Sequence, residues 1–243
     1  MTTVLKLGGS VITEKDRPET VDETMLNRAV EAVATLPGRT VVVHGGGSFG
    51  HHHAATHDVS STDGTRDDAG IRAIHGAMKR LNAIVVDALA EASVPAVPVH
   101  PFSAARRRSD GALELESDPV ETMLDEGFAP VLHGDTVIHE DAGATILSGD
   151  ELVVTLASAL DADRVGVCSS ASGVYDTDGN VIDRIESFED IRDAVGASDA
   201  TDVTGGMAGK VRELLALDVP AYVFDIDGLE AFAAGEDPGT EIH

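Results

Sequence analysis

Short β-branched runs that end in glycine alternate with longer stretches of helical spacing along the whole chain. No other feature constrains the fold as strongly. Residues 2–7 and 40–43 are strand-like and each is followed by glycines. Residues 21–36 place Val21, Met25, Ala29, Val33 and Leu36 at helical intervals and stop at Pro37-Gly38. Residues 67–92 form a long amphipathic pattern with Ile71, Ile74, Met78, Leu81, Val85 and Leu89 on one side. The same reading predicts strands at 94–99, 130–132, 136–139, 145–147, 164–168 and 221–224, and a hairpin over 173–185. It predicts helices at 118–126, 150–160, 187–195 and 207–217. Such alternation means βαβ units, hence a mainly parallel sheet with helices on both faces. The polar segment 57–66 is expected to be a mobile loop, and the basic run 106–108 a solvated one.

Composition narrows the chemistry. The net charge is −26, which argues against nucleic acid and anionic membrane as partners. An acidic excess with almost no lysine suits a cytoplasm of high salt, where the Debye length of ~3 Å at 1 M screens self-repulsion. The single cysteine, Cys168, excludes an internal disulfide, fits a reducing compartment and is expected to be a small buried residue. The chain starts directly on a strand-like run, so no signal peptide is expected, and no apolar run is long enough to span a bilayer. A cytoplasmic protein is predicted.

Of only four lysines, three stand beside glycine-rich turns. Lys6 opens Lys6-Leu7-Gly8-Gly9-Ser10, Lys15 follows it, and Lys210 closes Gly205-Gly206-Met207-Ala208-Gly209-Lys210. A further turn reads His44-Gly45-Gly46-Gly47-Ser48-Phe49-Gly50-His51. Glycine turns and helix N-termini offer N–H donors to anions, and an ammonium adds a compact charge. Phosphate chemistry is the reading. No Walker A pattern occurs; Gly45, Gly47 and Gly50 fit a dinucleotide fingerprint, but after the second strand and without an acid at a strand end. His51, His52 and His53 suggest a metal only superficially, since no second ligand set accompanies them, and His52 and His53 are expected to be exposed.

These motifs resemble the amino acid kinase superfamily. Within it, His44 to His51, Leu132-His133-Gly134-Asp135, Leu147-Ser148-Gly149-Asp150 and the segment 202–210 resemble the archaeal isopentenyl phosphate kinases. The resemblance implies a three-layer αβα sandwich. Residues 1–150 would be an acceptor lobe and 151–243 a nucleotide lobe of one continuous domain. It implies ATP as phosphoryl donor, Mg²⁺ on the ATP oxygens, isopentenyl phosphate as acceptor, and a homodimer. Lys6 would stabilise the transferring phosphoryl group, Lys15 that group or the acceptor phosphate, and Lys210 the outer phosphates of ATP. Gly8, Gly9, Ser10 and Gly206 would belong to the nucleotide side, with Gly46, Gly47 and His51 on the acceptor phosphate. Asp150 would position the lysines, unless it is only a helix N-cap. Ile74, Met78 and Ile146 would line a slot for the isoprenoid tail. No protein metal ligand is implied.

The chain departs from the superfamily in one place. Where many members carry an acidic loop, this one reads Ser169-Ser170-Ala171-Ser172-Gly173-Val174-Tyr175-Asp176. Other acceptors therefore stay open at this stage: a phosphonate such as fosfomycin, an acyl-amino acid or a nucleoside monophosphate. A nucleotide-binding regulatory protein without turnover is also consistent with the altered loop.

Overall fold

The structure is a computed structural model that describes residues 1–192 and 206–243. Its strands are β1 (Thr2–Leu7), β2 (Arg39–His44), β3 (Ala96–Pro98), β4 (Ala105–Arg107), β5 (Leu113–Leu115), β6 (Ala129–His133), β7 (Asp135–His139), β8 (Gly143–Leu147), β9 (Arg164–Cys168), β10 (Arg184–Ile185), β11 (Ala221–Phe224) and β12 (Thr240–Ile242). The helices are α1 (Gly9–Ile12), α2 (Glu23–Val33), α3 (Gly47–Thr56), α4 (Asp68–Glu91), α5 (Pro101–Ala104), α6 (Asp118–Asp125), α7 (Gly149–Ala159), α8 (Gly206–Leu214) and α9 (Ile226–Ala233).

Eight strands form one sheet in the order β10-β12-β11-β9-β1-β2-β6-β3, parallel except where β11 meets β12. Alternate residues of β1 and β2 feed opposite cores. Val4, Val41 and Val43 pack with α6, α7 and α8, whereas Leu5, Leu7 and Val42 pack with α2, α4 and α9. The period of two along a strand thus produces the three layers. β1 lies at the centre, with β2 on one side and β9 on the other. Connections diverge there, and the crevice beyond the carboxyl ends of such strands is where open α/β sheets take ligands.

Capping sets several helix starts. Asp22 accepts from Met25 N at 3.0 Å, and Asp67 accepts from Ala69 N and Gly70 N. Ser148 caps α7 by accepting from Glu151 N at 3.0 Å, so Asp150 is not the cap. Each such bond satisfies a donor that the first turn leaves unpaired.

Several expectations need correction. Strands 136–139 and 145–147 belong to β7 and β8 of a separate four-stranded sheet, β5-β4-β7-β8. The run 106–108 is not a solvated loop. It lies largely in β4, and Arg107 is only 9% exposed. Of the helix expected at 187–195, the described part begins as a 3₁₀ turn, Phe188–Ile191, with Arg192 helical, and the remainder lies outside the described residues. The hairpin expected over 173–185 is present but short, closed by the Tyr175–Val181 bridge and the bonds Asp176 N to Asn180 O and Ile182 N to Val174 O, while β10 pairs with β12. The loop at 57–66 is anchored by a bridge from Thr65 to Ala144. Helices α3 and α9 are additional.

Candidate active site

The ends of β1, β2, β6, β8 and β9 and the starts of α1, α3 and α7 meet at one cleft of about 700 Å³. Its size suits a small-molecule site. Lys6, Gly8, Gly9, Ser10, Lys15, Gly46, Gly47, His51, Ile74, Met78, Ile146, Asp150 and Lys210 all line it. Gly206 does not appear in its wall. That residue opens α8 at φ +57, one turn before Lys210. The rest of the third glycine turn, 202–205, lies outside the described residues.

The first two glycine turns pack backbone against backbone. A Cβ on Gly9 would lie 2.2 Å from Gly47 N, and one on Gly47 would lie 2.1 Å from Thr13 Oγ1. Gly47 also has φ +47, so only glycine fits without strain. Gly9 and Gly47 are the first residues of α1 and α3, where amides point forward without helical acceptors. Gly8 differs: its N–H donates to Cys168 O at 2.8 Å and is not free for an anion.

At the floor, one carboxylate holds two ammonium groups. Asp150 Oδ2 lies 2.6 Å from Lys6 Nζ, and Lys210 Nζ donates to Asp150 Oδ1 and Oδ2 at 3.0 and 3.1 Å. Lys6 is buried, and Asp150 and Lys210 nearly so. Burial pushes the Lys6 ammonium down to about 8, Asp150 opposes that shift, and Lys210 adds to it. Burial alone would raise Asp150, yet the two lysines outweigh it and hold the carboxyl well below its usual range. The cluster therefore carries one surplus positive charge in a poorly solvated place. An incoming phosphate anion would neutralise it.

Sequence reasoning missed three features of the floor. Glu213, one turn past Lys210 in α8, has a buried Oε2 without a hydrogen-bond partner. Burial, aided by Asp150 and Glu151, pushes it up to about 7. Arg107 makes a two-pronged pair with Glu151 at 2.6 and 2.8 Å, directly beside Asp150. His44 and His133, paired in register on β2 and β6, donate from Nδ1 to Gly45 O and Gly134 O. Burial keeps His44 neutral by lowering it to about 4, and lowers His133 well below the ordinary value. Thus each strand-end histidine fastens the carbonyl of the turn that follows it. His-Gly at the ends of two strands was the available signal.

The acceptor side has an apolar floor. Ile74 and Met78 are 1% and 0% exposed, with Ile146 partly buried alongside. His51 stands on the exposed face of α3 toward the cleft. His53 is not fully exposed as expected, because it pairs with Glu19 at 2.7 Å. Cys168 is buried, which raises its thiol to about 12 and rules it out as a nucleophile. Ser169 and Ser170 of the altered loop also touch the cleft.

Among the described residues, no group of three His, Cys, Asp or Glu side chains could hold a metal ion. The innermost carboxylate, Asp150, is already occupied by two ammonium groups. Among the described residues, no helix is long and apolar enough to cross a membrane.

Comparison with known proteins agrees with this geometry. The amino acid kinase family model matches residues 1–219. An isopentenyl phosphate kinase of Haloferax volcanii is 64% identical over 241 residues, covering 98% of this chain and 97% of that protein. The isopentenyl phosphate kinase of Methanothermobacter thermautotrophicus is 34% identical over 88% of this chain and 86% of its own length. An X-ray structure of an isopentenyl phosphate kinase superposes with a TM-score of 0.85 at 28% identity, covering all of both chains.

Proposed function

The chain belongs to the amino acid kinase family, among its isopentenyl phosphate kinases, and from that premise we infer its reaction. The γ-phosphoryl of ATP passes to the phosphate of isopentenyl phosphate, giving isopentenyl diphosphate and ADP. The observation that carries this reading is the cluster of Lys6, Asp150 and Lys210 beneath two glycine turns. Two lysines on one carboxylate supply a fixed positive charge where two anionic groups must be brought together.

Phosphoryl transfer asks for alignment and charge neutralisation more than for covalent help. An oxygen of the acceptor phosphate bonds to Pγ as the bond from Pγ to the β-bridging oxygen breaks. That acceptor oxygen is already deprotonated at neutral pH, so no general base is required. Lys6, rising from the centre of the sheet, neutralises the equatorial oxygens in flight. Lys210, on the 151–243 side, holds the outer phosphates of ATP. Lys15 and His51, on the 1–150 side, hold the acceptor phosphate, assisted by the amides of Gly46 and Gly47. Gly9 and Ser10 face the nucleotide phosphates. Ile74, Met78 and Ile146 form a dry floor for the isoprenoid tail. Asp150 keeps both lysines in place.

Magnesium would enter with the nucleotide and would offset the charge of its phosphates. Among the described residues no group of side chains would hold it, and Mg²⁺ commonly binds largely through substrate phosphates. We further propose a homodimer that works in the cytoplasm; sedimentation in molar KCl tests the assembly.

The reaction is tested by ADP release from MgATP in molar KCl against a panel of acceptors. The panel contains isopentenyl phosphate, dimethylallyl phosphate, fosfomycin, acetylglutamate, glutamate and UMP. Turnover confined to the isoprenoid monophosphates supports the reading. Turnover with another acceptor overturns the tail slot, and silence with every acceptor overturns the reaction.

A further inference from the structure

Lys15 poses a positioning problem. Its side chain lies on the exposed rim of the cleft and makes no ion pair among the described residues. Its segment, residues 14–20, joins α1 to α2. An exposed lysine on such a segment has many rotamers, and no hydrogen bond or ion pair among the described residues restricts them. Any restriction must come from the segment itself.

The base of the segment is bolted to the start of α3. Thr13 bridges to Val21, and Glu14 N donates to Thr20 O at 3.0 Å. Glu19 N donates to Ser48 O, and Thr20 N donates to Ser48 Oγ, both at 3.3 Å. Ser48 directly follows the Gly46-Gly47 turn, so segment and turn share one anchor. One residue here is strained: Glu19 has φ +48, a left-handed conformation that non-glycine residues rarely adopt. Strain of this kind persists only where the surroundings impose it, and it gathers at functional sites.

The Glu19 carboxylate provides the imposing contacts. Oε1 accepts from His53 Nε2 at 2.7 Å, on α3. Oε2 accepts from Arg80 Nη2 at 2.7 Å and Nε at 3.0 Å, on α4. Thus one side chain ties the Lys15 segment to both helices of the acceptor side. His53 stands two residues from His51, and Arg80 two residues from Met78. None of Glu19, His53 and Arg80 lines the cleft, so the latch sits behind the helix faces that carry His51 and Met78.

We propose that Glu19 is a positioning residue: its contacts to His53 and Arg80 latch the 14–20 segment so that Lys15 is held over the acceptor phosphate. The inference rests on the reaction assigned above and adds the device that aims one of its cations. The nucleotide side has no part in the latch. Lys210 and the 151–243 half make no contact with Glu19 among the contacts of the described residues.

The test compares Glu19→Ala, Glu19→Gly, Glu19→Gln and Lys15→Ala in steady-state assays with MgATP and isopentenyl phosphate. Wild-type turnover in the same assay checks the reaction itself, so failure of the reaction and failure of the latch are separate results. Glu19→Gly keeps the left-handed backbone without strain but removes the carboxylate; Glu19→Gln keeps oxygen and nitrogen near both partners. We expect Glu19→Ala and Glu19→Gly to raise KM for isopentenyl phosphate about tenfold, short of the ~10²-fold that a 1 Å misplacement can cost. KM for ATP should stay within about twofold, and Glu19→Gln should lose less than Glu19→Ala. Adding Lys15→Ala to Glu19→Ala should cost much less than Lys15→Ala costs alone, because the latch acts through that lysine. Additive losses overturn the proposal. So do a Glu19→Gly protein that behaves like wild type and a matched rise in both KM values.

Discussion

Replacing Asp150 with Asn tests whether the cleft works by holding two ammonium groups on one carboxylate. The change is nearly isosteric; it removes the charge and turns one of the two acceptor oxygens into an NH2 donor. Asp150 lies 2.6 Å from Lys6 and 3.0 Å from Lys210. Unit charges about 3 Å apart attract by roughly 5 kcal/mol at an effective dielectric of ~20, before desolvation is subtracted. Lys6 already sits at about 8 with this partner present, against 10.5 for the free side chain. That gap corresponds to about 3 kcal/mol of strain on its charged form. Without the carboxylate, burial and the Lys210 charge act on Lys6 unopposed. A further penalty of ~3 kcal/mol suffices to leave it largely neutral at pH 7.

The activity consequence has a shape as well as a size. A neutral Lys6 cannot stabilise the charge that spreads over the moving phosphoryl group. Loss of one such preorganised charge costs ~10²–10³ in rate, about 3–4 kcal/mol. In the wild type, kcat/KM for MgATP should fall as pH rises past about 8, where Lys6 in the free enzyme loses its proton. In Asp150→Asn that limb should move to lower pH. The deficit should then be ~10²–10³-fold at pH 8 and at least about tenfold smaller at pH 6. ADP release measured from pH 6 to 9 in molar KCl reads both quantities. A variant profile that runs parallel to the wild type, whatever its depth, refutes the shared-carboxylate argument. The linkage has an unusual sign. Lys6 binds its proton more weakly folded than unfolded, so its contribution to stability rises as pH climbs from about 8 to 10.5.

Two further predictions concern stability. Arg107→Ala strands Glu151 beside Asp150 and should cost about 3–5 kcal/mol in denaturant unfolding, while Arg107→Met with Glu151→Leu should recover most of it; equal losses in the single and double variants would show that the ion pair is not the cause. The net charge of −26 predicts a midpoint of thermal unfolding that rises steadily from dilute buffer to molar KCl as screening sets in; an unchanged midpoint would contradict that assignment of the acidic surface.

The sequence made the site visible through scarcity. Lysine is so rare that its placement beside glycine turns carried information, and the structure brings Lys6 and Lys210 onto one carboxylate. The parallel sheet was legible for a similar reason: β1, β2, β9 and β11 are β-branched or apolar runs with clear ends. Helix α3 was not legible. Its sequence, Gly-Ser-Phe-Gly-His-His-His-Ala-Ala-Thr, has two glycines and low helical propensity, so the glycine turn hid it. Tertiary packing supplies what propensity lacks. Gly50 lets α3 lie so close to α4 that a Cβ there would meet Met78 Sδ at 2.9 Å. Arg107 was hidden differently. A run of three arginines gives no sign that its middle member turns inward while Arg106 and Arg108 face outward toward Glu114. Alternation in a three-residue strand explains it, but only after the strand is known.

An acidic protein that must bring together two anions faces an electrostatic contradiction, and the floor of the cleft resolves it locally. Forty-three acidic residues outnumber seventeen basic ones, yet three acids packed around Lys6 and Lys210 are offset. Glu151 is matched by Arg107, Asp150 by two lysines, and Glu213 is pushed up to about 7 so that much of it is uncharged at neutral pH. The remaining charge is positive and sits on Lys6, which no solvent shell can satisfy. The strain on that ammonium is relieved when a phosphate arrives and is greatest when the cleft is empty. Screening by molar salt weakens the exposed acidic surface far more than it weakens this buried cluster. High salt should therefore remove the long-range repulsion of an incoming polyphosphate while leaving the short-range attraction in place, and KM for MgATP is expected to fall as KCl rises; a KM that stays level would refute this.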